Sequence, residues 1–209
     1  MNKWAFIKPD KIPHSTEIDN DFWNYFDHGD KILDVGCGTG RDMLNCIFHG
    51  LDVVGIDINK EAIEEIKENP HLAEAKVYAK SILDSDFSGF DGALLQGLLS
   101  TNNKEDRIKC LEKVKNALVD GGIIHIAEFE RDPNWAERYK KDEEITEEWG
   151  TVVITDDESG NELCRTHNFL EEELKELLKD FEILSIRKKP FISYHGNKKT
   201  GIMIIAKKI

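Results

Sequence analysis

The chain has 209 residues, 40% hydrophobic and 33% charged, a balance that suits one medium α/β domain with a buried core. No apolar run approaches the roughly 20 residues that cross a bilayer, and the opening MNKWAFIKPD lacks the apolar centre and cleavage site of a secretion signal, so a cytoplasmic location is expected. With 28 Lys and Arg against 41 Asp and Glu the net charge is −13, which disfavours nucleic acid as a partner.

After an arm with Pro9 and Pro13, Ser15 is positioned to cap a helix that buries Ile18, Phe22 and Phe26. Residues 1–29 are expected to form this arm and helix, covering one end of a sheet. An alternation follows: strand Ile32 to Val35, a helix after Gly40, strand Val53 to Ile56, and a helix from Asn59 to about Glu68. Strands that alternate with helices imply a parallel sheet. Short strands are expected near Lys76 to Ala79 and Gly92 to Leu95. A helix from about Lys104 to Leu118 should bury Ile108, Leu111, Val114 and Leu118, and Gly121 and Gly122 turn the chain into strand Ile123 to Ala127.

Periodicity lapses over residues 131–165, a charged stretch read as an insertion or lid, whose Trp135, Tyr139, Ile145 and Trp149 are unlike the residues of a linker. Asn168, with Glu171 three residues on, is expected to cap a helix with a stripe of Leu170, Leu174, Leu177 and Leu178. Two strands, about Glu182 to Arg187 and Gly201 to Lys207, end the chain. From Arg187 onward seven Lys and Arg meet no acidic residue in the sequence, either as edge-strand lysines that block aggregation or as contacts for an anionic substrate. Cys37, Cys46, Cys110 and Cys164 are too widely spaced for a zinc site or a disulfide framework, so they are read as reduced thiols and no metal is expected.

The strongest local pattern is ILDVGCGTG, Ile32 to Gly40, a strand that runs into a loop with glycines at 36, 38 and 40. Glycine accepts positive φ there and lets a ligand approach the backbone, and the loop opens a helix with free amides. VVGIDI, Val53 to Ile58, then places Asp57 at a strand end, 21 residues past Gly36. A carboxylate there can accept from both hydroxyls of a ribose. Alone, Asp57 could equally cap the helix that begins near Asn59. The dinucleotide fingerprint puts its third glycine three after the second, whereas Gly40 comes two after Gly38, so the loop favours a nucleoside without pyrophosphate.

These two segments resemble motifs I and II of class I S-adenosylmethionine-dependent methyltransferases. FDGALLQG, LVDGGIIHIAEF and NFLEEELKELLKDFEILSI are similar to later elements of small-molecule members. The resemblance implies a Rossmann-like, doubly wound, mostly parallel seven-stranded sheet with an antiparallel last strand, in one domain spanning 1–209. It also implies S-adenosylmethionine as cofactor, held by Asp34, Gly36, Cys37, Gly38, Asp57, Ile58, Ser81, Ile82 and Gln96. Asp34 would order the loop near the methionyl amine, the amides around Gly36 and Gly38 would approach the amino-acid part, and Asp57 would hold the ribose. Ser81 stands where the family commonly has an acidic residue for the adenine amine. Ser81 with the Ile82 amide, or Asp84, would serve instead, and Gln96 would face the methionine end.

Methyl transfer needs a held acceptor rather than a protein nucleophile, so no catalytic residue is assigned. Glu128, at a strand end, and His167 are candidate substrate contacts, with Glu130, Tyr194 and His195 in the same late segments. His125 reads as a packed strand residue. Trp4, Phe6, Trp135 and Trp149 would form an apolar cover or pack in the core. The fourth strand ends in LLQGLL rather than the N-P-P-Y type, which disfavours methylation of exocyclic base amines and glutamine. A small molecule or a peptide is the expected acceptor. The alternatives are a protein that binds the cofactor without transfer, and an NAD(P)-dependent oxidoreductase.

Overall fold

The structure, a computed structural model, describes residues 17–134, 142, 148–155, 159–193 and 196–209. Pro9, Pro13, Ser15, Trp4, Phe6, Trp135, Tyr139, Ile145, Tyr194 and His195 lie outside the described residues.

Seven strands form one sheet. In chain order the elements are β1 (Lys31–Val35), α1 (Arg41–Phe48), β2 (Asp52–Asp57), α2 (Lys60–Glu68), β3 (Lys76–Ala79), β4 (Phe90–Gln96), α3 (Lys104–Ala117), β5 (Leu118–Phe129), β6 (Thr151–Thr155), β7 (Glu162–His167), α4 (Glu171–Leu177), β8 (Phe181–Ile192) and β9 (Lys198–Lys208). The sheet runs β3-β2-β1-β4-β5-β9-β8, and β6 and β7 pair separately as an antiparallel hairpin. Strands β1 to β5 are mutually parallel and β9 is antiparallel to β5, as the resemblance implies. The order reverses between β1 and β4, and ligands of such sheets sit in the crevice outside the carboxyl ends at that reversal.

Each face of the sheet buries its own apolar layer. On one side α3 and α4 bring Cys110, Leu111, Val114, Leu174 and Leu178 against Leu33, Leu95, Ile124 and Ile204. On the other, Met43, Cys46, Ile63 and Ile66 of α1 and α2 join Ile18 and Phe22 over Ile32, Leu94 and Ile205. Side chains two apart along a strand share a face, which is why the two layers draw on alternate strand residues. Gly92 is required on the second face, because a Cβ there would collide with the Phe26 ring.

Several expectations are corrected. The described N-terminal helix is a short 3-10 segment, Asn20–Tyr25, capped by Asp19, whose carboxylate accepts the Asp21 N–H; Ile18 and Phe22 are nonetheless buried. Ile108 is 49% exposed, and the buried stripe of α3 runs instead through Arg107, Cys110, Leu111, Val114 and Ala117. The stripe can include Arg107 because its guanidinium is paired with Glu148 at 2.6 Å. Asn168 does not cap α4: its N–H donates to Gly150 O and its carbonyl accepts from Arg131. Phe169 is buried and pairs with Glu130 just past β5, its N–H donating to Phe129 O, so the helix starts two residues later. There Glu173 accepts the N–H of Leu170 at 2.7 Å, and Leu170 is exposed. Gly121 and Gly122 sit in an irregularity where the β4–β5 register jumps from Leu118 to Ile123. The charged stretch contributes the β6–β7 hairpin, whose short strands TVVIT and ELCRTH lie beyond the acidic run and pair only with each other.

Candidate functional site

The glycine loop is held by its own backbone. Gly36 and Cys37 both donate to Ile56 O, at 2.7 and 3.2 Å, and the Gly40 N–H donates to Cys37 O at 2.9 Å. Gly40 has φ 85°, in the left-handed region, and a Cβ there would lie 2.6 Å from Leu72; at Gly36 (φ 78°) it would lie 2.9 Å from Leu98. Any side chain at either position would meet both strain and a clash.

Asp57 closes the loop from β2. One carboxylate oxygen accepts the Gly38 N–H at 2.9 Å and the other the Asn59 N–H at 2.8 Å. Burial raises its pKa, opposed by the amides of Asn59, Gly38 and Ile58. Asn59 itself caps α2 through Ala62 N, so Asp57 is not needed as the helix cap. These bonds correct one expectation: the amides of Gly36 and Gly38 are already spent on Ile56 O and Asp57, so they are not free for a ligand. Cys37 is buried between the two acids, and burial, then Asp34 and Asp57, push its thiol well up.

Asp34, on β1, is 1% exposed and its Oδ2 has no partner. Burial, then the Asp42 and Asp57 carboxylates, push its pKa well above the ordinary range, with Arg41 opposing. A buried acceptor without a donor is costly unless something supplies one. On β4, Gln96 contacts His125 at 2.8 Å. After β3, the Ser81 hydroxyl accepts the Leu83 N–H and so caps the turn Ile82–Asp84; Ile82 is buried and Asp84 exposed. Asp34, the glycine loop, Asp57, Ser81 and Gln96 thus all follow or end β1, β2, β3 and β4 on the carboxyl edge.

The other half of this edge joins Glu128 and His167, both candidate substrate contacts, to Arg107, Glu148, Thr151, Arg131 and Glu173, whose parts in it no local pattern announces. Glu128 is fully buried, and its Oε1 accepts the Leu99 N–H at 2.7 Å, tying down the turn after β4. Burial pushes its pKa up to about 8. Arg107 donates to Leu99 O and to Glu148, and Thr151 donates to Glu148 at 2.9 Å. His167, a candidate substrate contact, is buried in this network with Nδ1 2.9 Å from Thr151 Oγ1 and its ring edge on Phe169; burial lowers its pKa. Arg131 bridges Trp149 O, Asn168 O and Glu173. No local pattern announces Arg107 or Arg131, because their carboxylate partners Glu148 and Glu173 lie 41 and 42 residues further along the chain.

The basic C-terminal stretch finds acids from elsewhere: Arg187 pairs with Asp19 and Asp21, Lys188 with Glu130 and Glu171, and Lys189 with Glu17. These pairs on the edge strand β8 favour the structural reading over an anionic substrate. The four cysteines are free and buried. No helix among the described residues is long and apolar enough to cross a membrane.

The methyltransferase domain family matches residues 26–183. A solved S-adenosylmethionine-dependent methyltransferase from Methanosarcina mazei is 33% identical and superposes with a TM-score of 0.85, over 93% of this chain and 99% of that one. The 1,6-didemethyltoxoflavin-N1-methyltransferase of Burkholderia thailandensis, solved with 1,6-didemethyltoxoflavin and S-adenosylhomocysteine, shares the fold at 20% identity and a TM-score of 0.63, over 87% of this chain and 72% of that one. An S-adenosyl-L-methionine-dependent Diels-Alderase from Talaromyces variabilis is 29% identical over 72% of this chain and 53% of its own length. The chain spans about half the length of the curated relatives it matches first. From the family match and the Methanosarcina likeness, the chain belongs to the S-adenosylmethionine-dependent methyltransferases.

Proposed function

We propose that the chain binds S-adenosylmethionine along the carboxyl ends of β1 to β4 and transfers its methyl group to a small metabolite or a peptide. The observation that carries this is Asp57, whose two oxygens are fixed by separate amides and each keep a lone pair for one hydroxyl of a ribose. The surrounding residues fit the cofactor. The unpartnered, buried Asp34 Oδ2 suits an ammonium, and a Cβ at Gly38 would meet nothing within 4 Å, so the loop leaves room for close approach. Cys37 and Ile58 flank this loop and Asp57, Ser81 and Ile82 are assigned to the adenine, and Gln96 to the methionine end.

When bound, the cofactor supplies an electrophilic methyl group. The chain's own part is to hold the acceptor atom in line, at about 3 to 3.5 Å, and to keep water out. The turn after β4, fixed by Glu128 and Arg107, and the hairpin that packs on it form the acceptor side. Residues 1–209 act as one cytoplasmic domain on this reading, with 1–29 as arm and 131–165 as cover. The net charge of −13 and the LLQGLL strand end speak against nucleic acid.

A second reading, a cofactor held without transfer, draws on the kinship with a Diels-Alderase, since a cycloaddition moves no methyl group. The test is release of S-adenosylhomocysteine from S-adenosylmethionine with metabolite, peptide and RNA fractions. Release with metabolites or peptides is expected. Release with RNA alone would overturn the proposed acceptor class, and an intact cofactor with every fraction, despite tight binding, would favour the second reading.

A further inference from the structure

Gln96 ends β4 at the ligand edge, and His125 on β5 beside it has no exposed surface. The imidazole is held from two sides. Its Nε2 lies 2.9 Å from the backbone nitrogen of Asp19, which can only donate, and its Nδ1 lies 2.8 Å from Gln96 Nε2. Gln96 Oε1, shielded from solvent, meets no partner. Burial, with Lys189 adding to it, pushes the His125 pKa down to about 3, so the ring is neutral and carries one proton. Because Nε2 accepts from Asp19, that proton is on Nδ1, and Nδ1 donates. Its acceptor has to be an oxygen. The two ends of a carboxamide have nearly the same shape, so hydrogen bonding decides which faces the ring.

We infer that His125, fixed as its Nδ1–H tautomer by the Asp19 amide, turns the Gln96 carboxamide so that its oxygen meets the ring and its NH2 faces the amino-acid end of the bound ligand as a donor. The ligand half of this inference rests on the cofactor reading above. Asp34 and Gln96 share one face of neighbouring strands, because Ile32 and Leu94, two residues before each, belong to the same apolar layer. With the amide in this orientation the edge offers an acceptor from β1 and a donor from β4, the complement of an ammonium and a carboxylate. The reverse orientation offers two acceptors and leaves the carboxylate without a partner. His125 acts through Gln96 and is a positioning residue, and the N-terminal segment enters the site through the main chain of Asp19.

The test combines 15N NMR of histidine-labelled wild-type protein with calorimetry on Gln96→Glu. His125 is expected to show a pyrrole-type Nδ1 and a pyridine-type Nε2 throughout about pH 5 to 8. A protonated Nε2, or titration within that range, overturns the inference and leaves the cofactor reading intact. In Gln96→Glu one oxygen still accepts from Nδ1–H while the outward donor becomes an acceptor. S-adenosylhomocysteine should then bind about tenfold or more weakly, whereas 5′-methylthioadenosine, which lacks the amino-acid group, should bind as it does to the wild type. Undiminished binding of S-adenosylhomocysteine overturns the donor assignment. Failure of the wild type to bind it overturns the cofactor reading and not the tautomer.

Discussion

Around Asp57 the carboxyl edge of the sheet is held by backbone amides, whereas around Glu128 it is held by side chains from distant parts of the chain. The first half needs only a glycine loop and one carboxylate, all within residues 34–59. The second joins the turn after β4, the start of α3, the hairpin and α4 through Arg107, Glu148, Thr151, His167, Arg131 and Glu173. A backbone-built half keeps its shape while surface side chains change, which suits a fixed cofactor. A half built from side chains can be re-cut by substitution, which suits an acceptor that differs between relatives.

The contrast can be broken in order of expected effect. Glu128 gives the largest. Its folded pKa, about 8, lies above the ordinary 4.5, so between these values the folded protein keeps a proton that the unfolded chain has lost. Stability therefore falls as pH rises through this window, approaching a tenfold change in the folding equilibrium per pH unit for this one group. Glu128→Gln, which keeps an acceptor for Leu99 and cannot ionise, should flatten that slope in denaturation curves taken across the window; an unchanged slope would remove Glu128 from the account.

Arg107→Met comes next. It leaves Glu148 without the guanidinium, and breaking a buried pair costs about 3 kcal/mol, slightly less here because Glu148 is 27% exposed. Urea denaturation should show the loss while calorimetry shows unchanged affinity for S-adenosylhomocysteine. Equal damage to both would mean that the two halves are one unit. Asp57→Ala should do the reverse, weakening that affinity about tenfold or more in a protein that still folds. The smallest effect belongs to Lys188→Ala on the edge strand, about 0.5 kcal/mol or less and shrinking with salt, as measured by thermal melts at two ionic strengths.

The same contrast explains what was legible in the sequence. ILDVGCGTG and VVGIDI are contiguous, their glycines and acid act through nearby backbone, and the strands and helices around them repeat with clean periods. The other half depends on contacts across an aperiodic insertion. Arg107 is absent from the expected stripe of α3, which takes in Ile108 instead, because nothing local announces Glu148. Asn168 had the chemistry of a cap, but the pull of Phe169 into the core outweighed it. Glu128 was visible as a strand-end acid, yet its role in binding the Leu99 amide depends on how the turn after β4 folds back. For Gln96 the sequence offers only the resemblance, and nothing local shows that its side chain meets His125, which reads as a packed strand residue.

The most direct measurement is isothermal titration of the protein with S-adenosylhomocysteine, with NAD as control. Binding of S-adenosylhomocysteine in the micromolar range, without binding of NAD, is the expected result. No binding, or a preference for NAD, would contradict the assignment of the Gly36 to Gly40 loop and Asp57 to the cofactor.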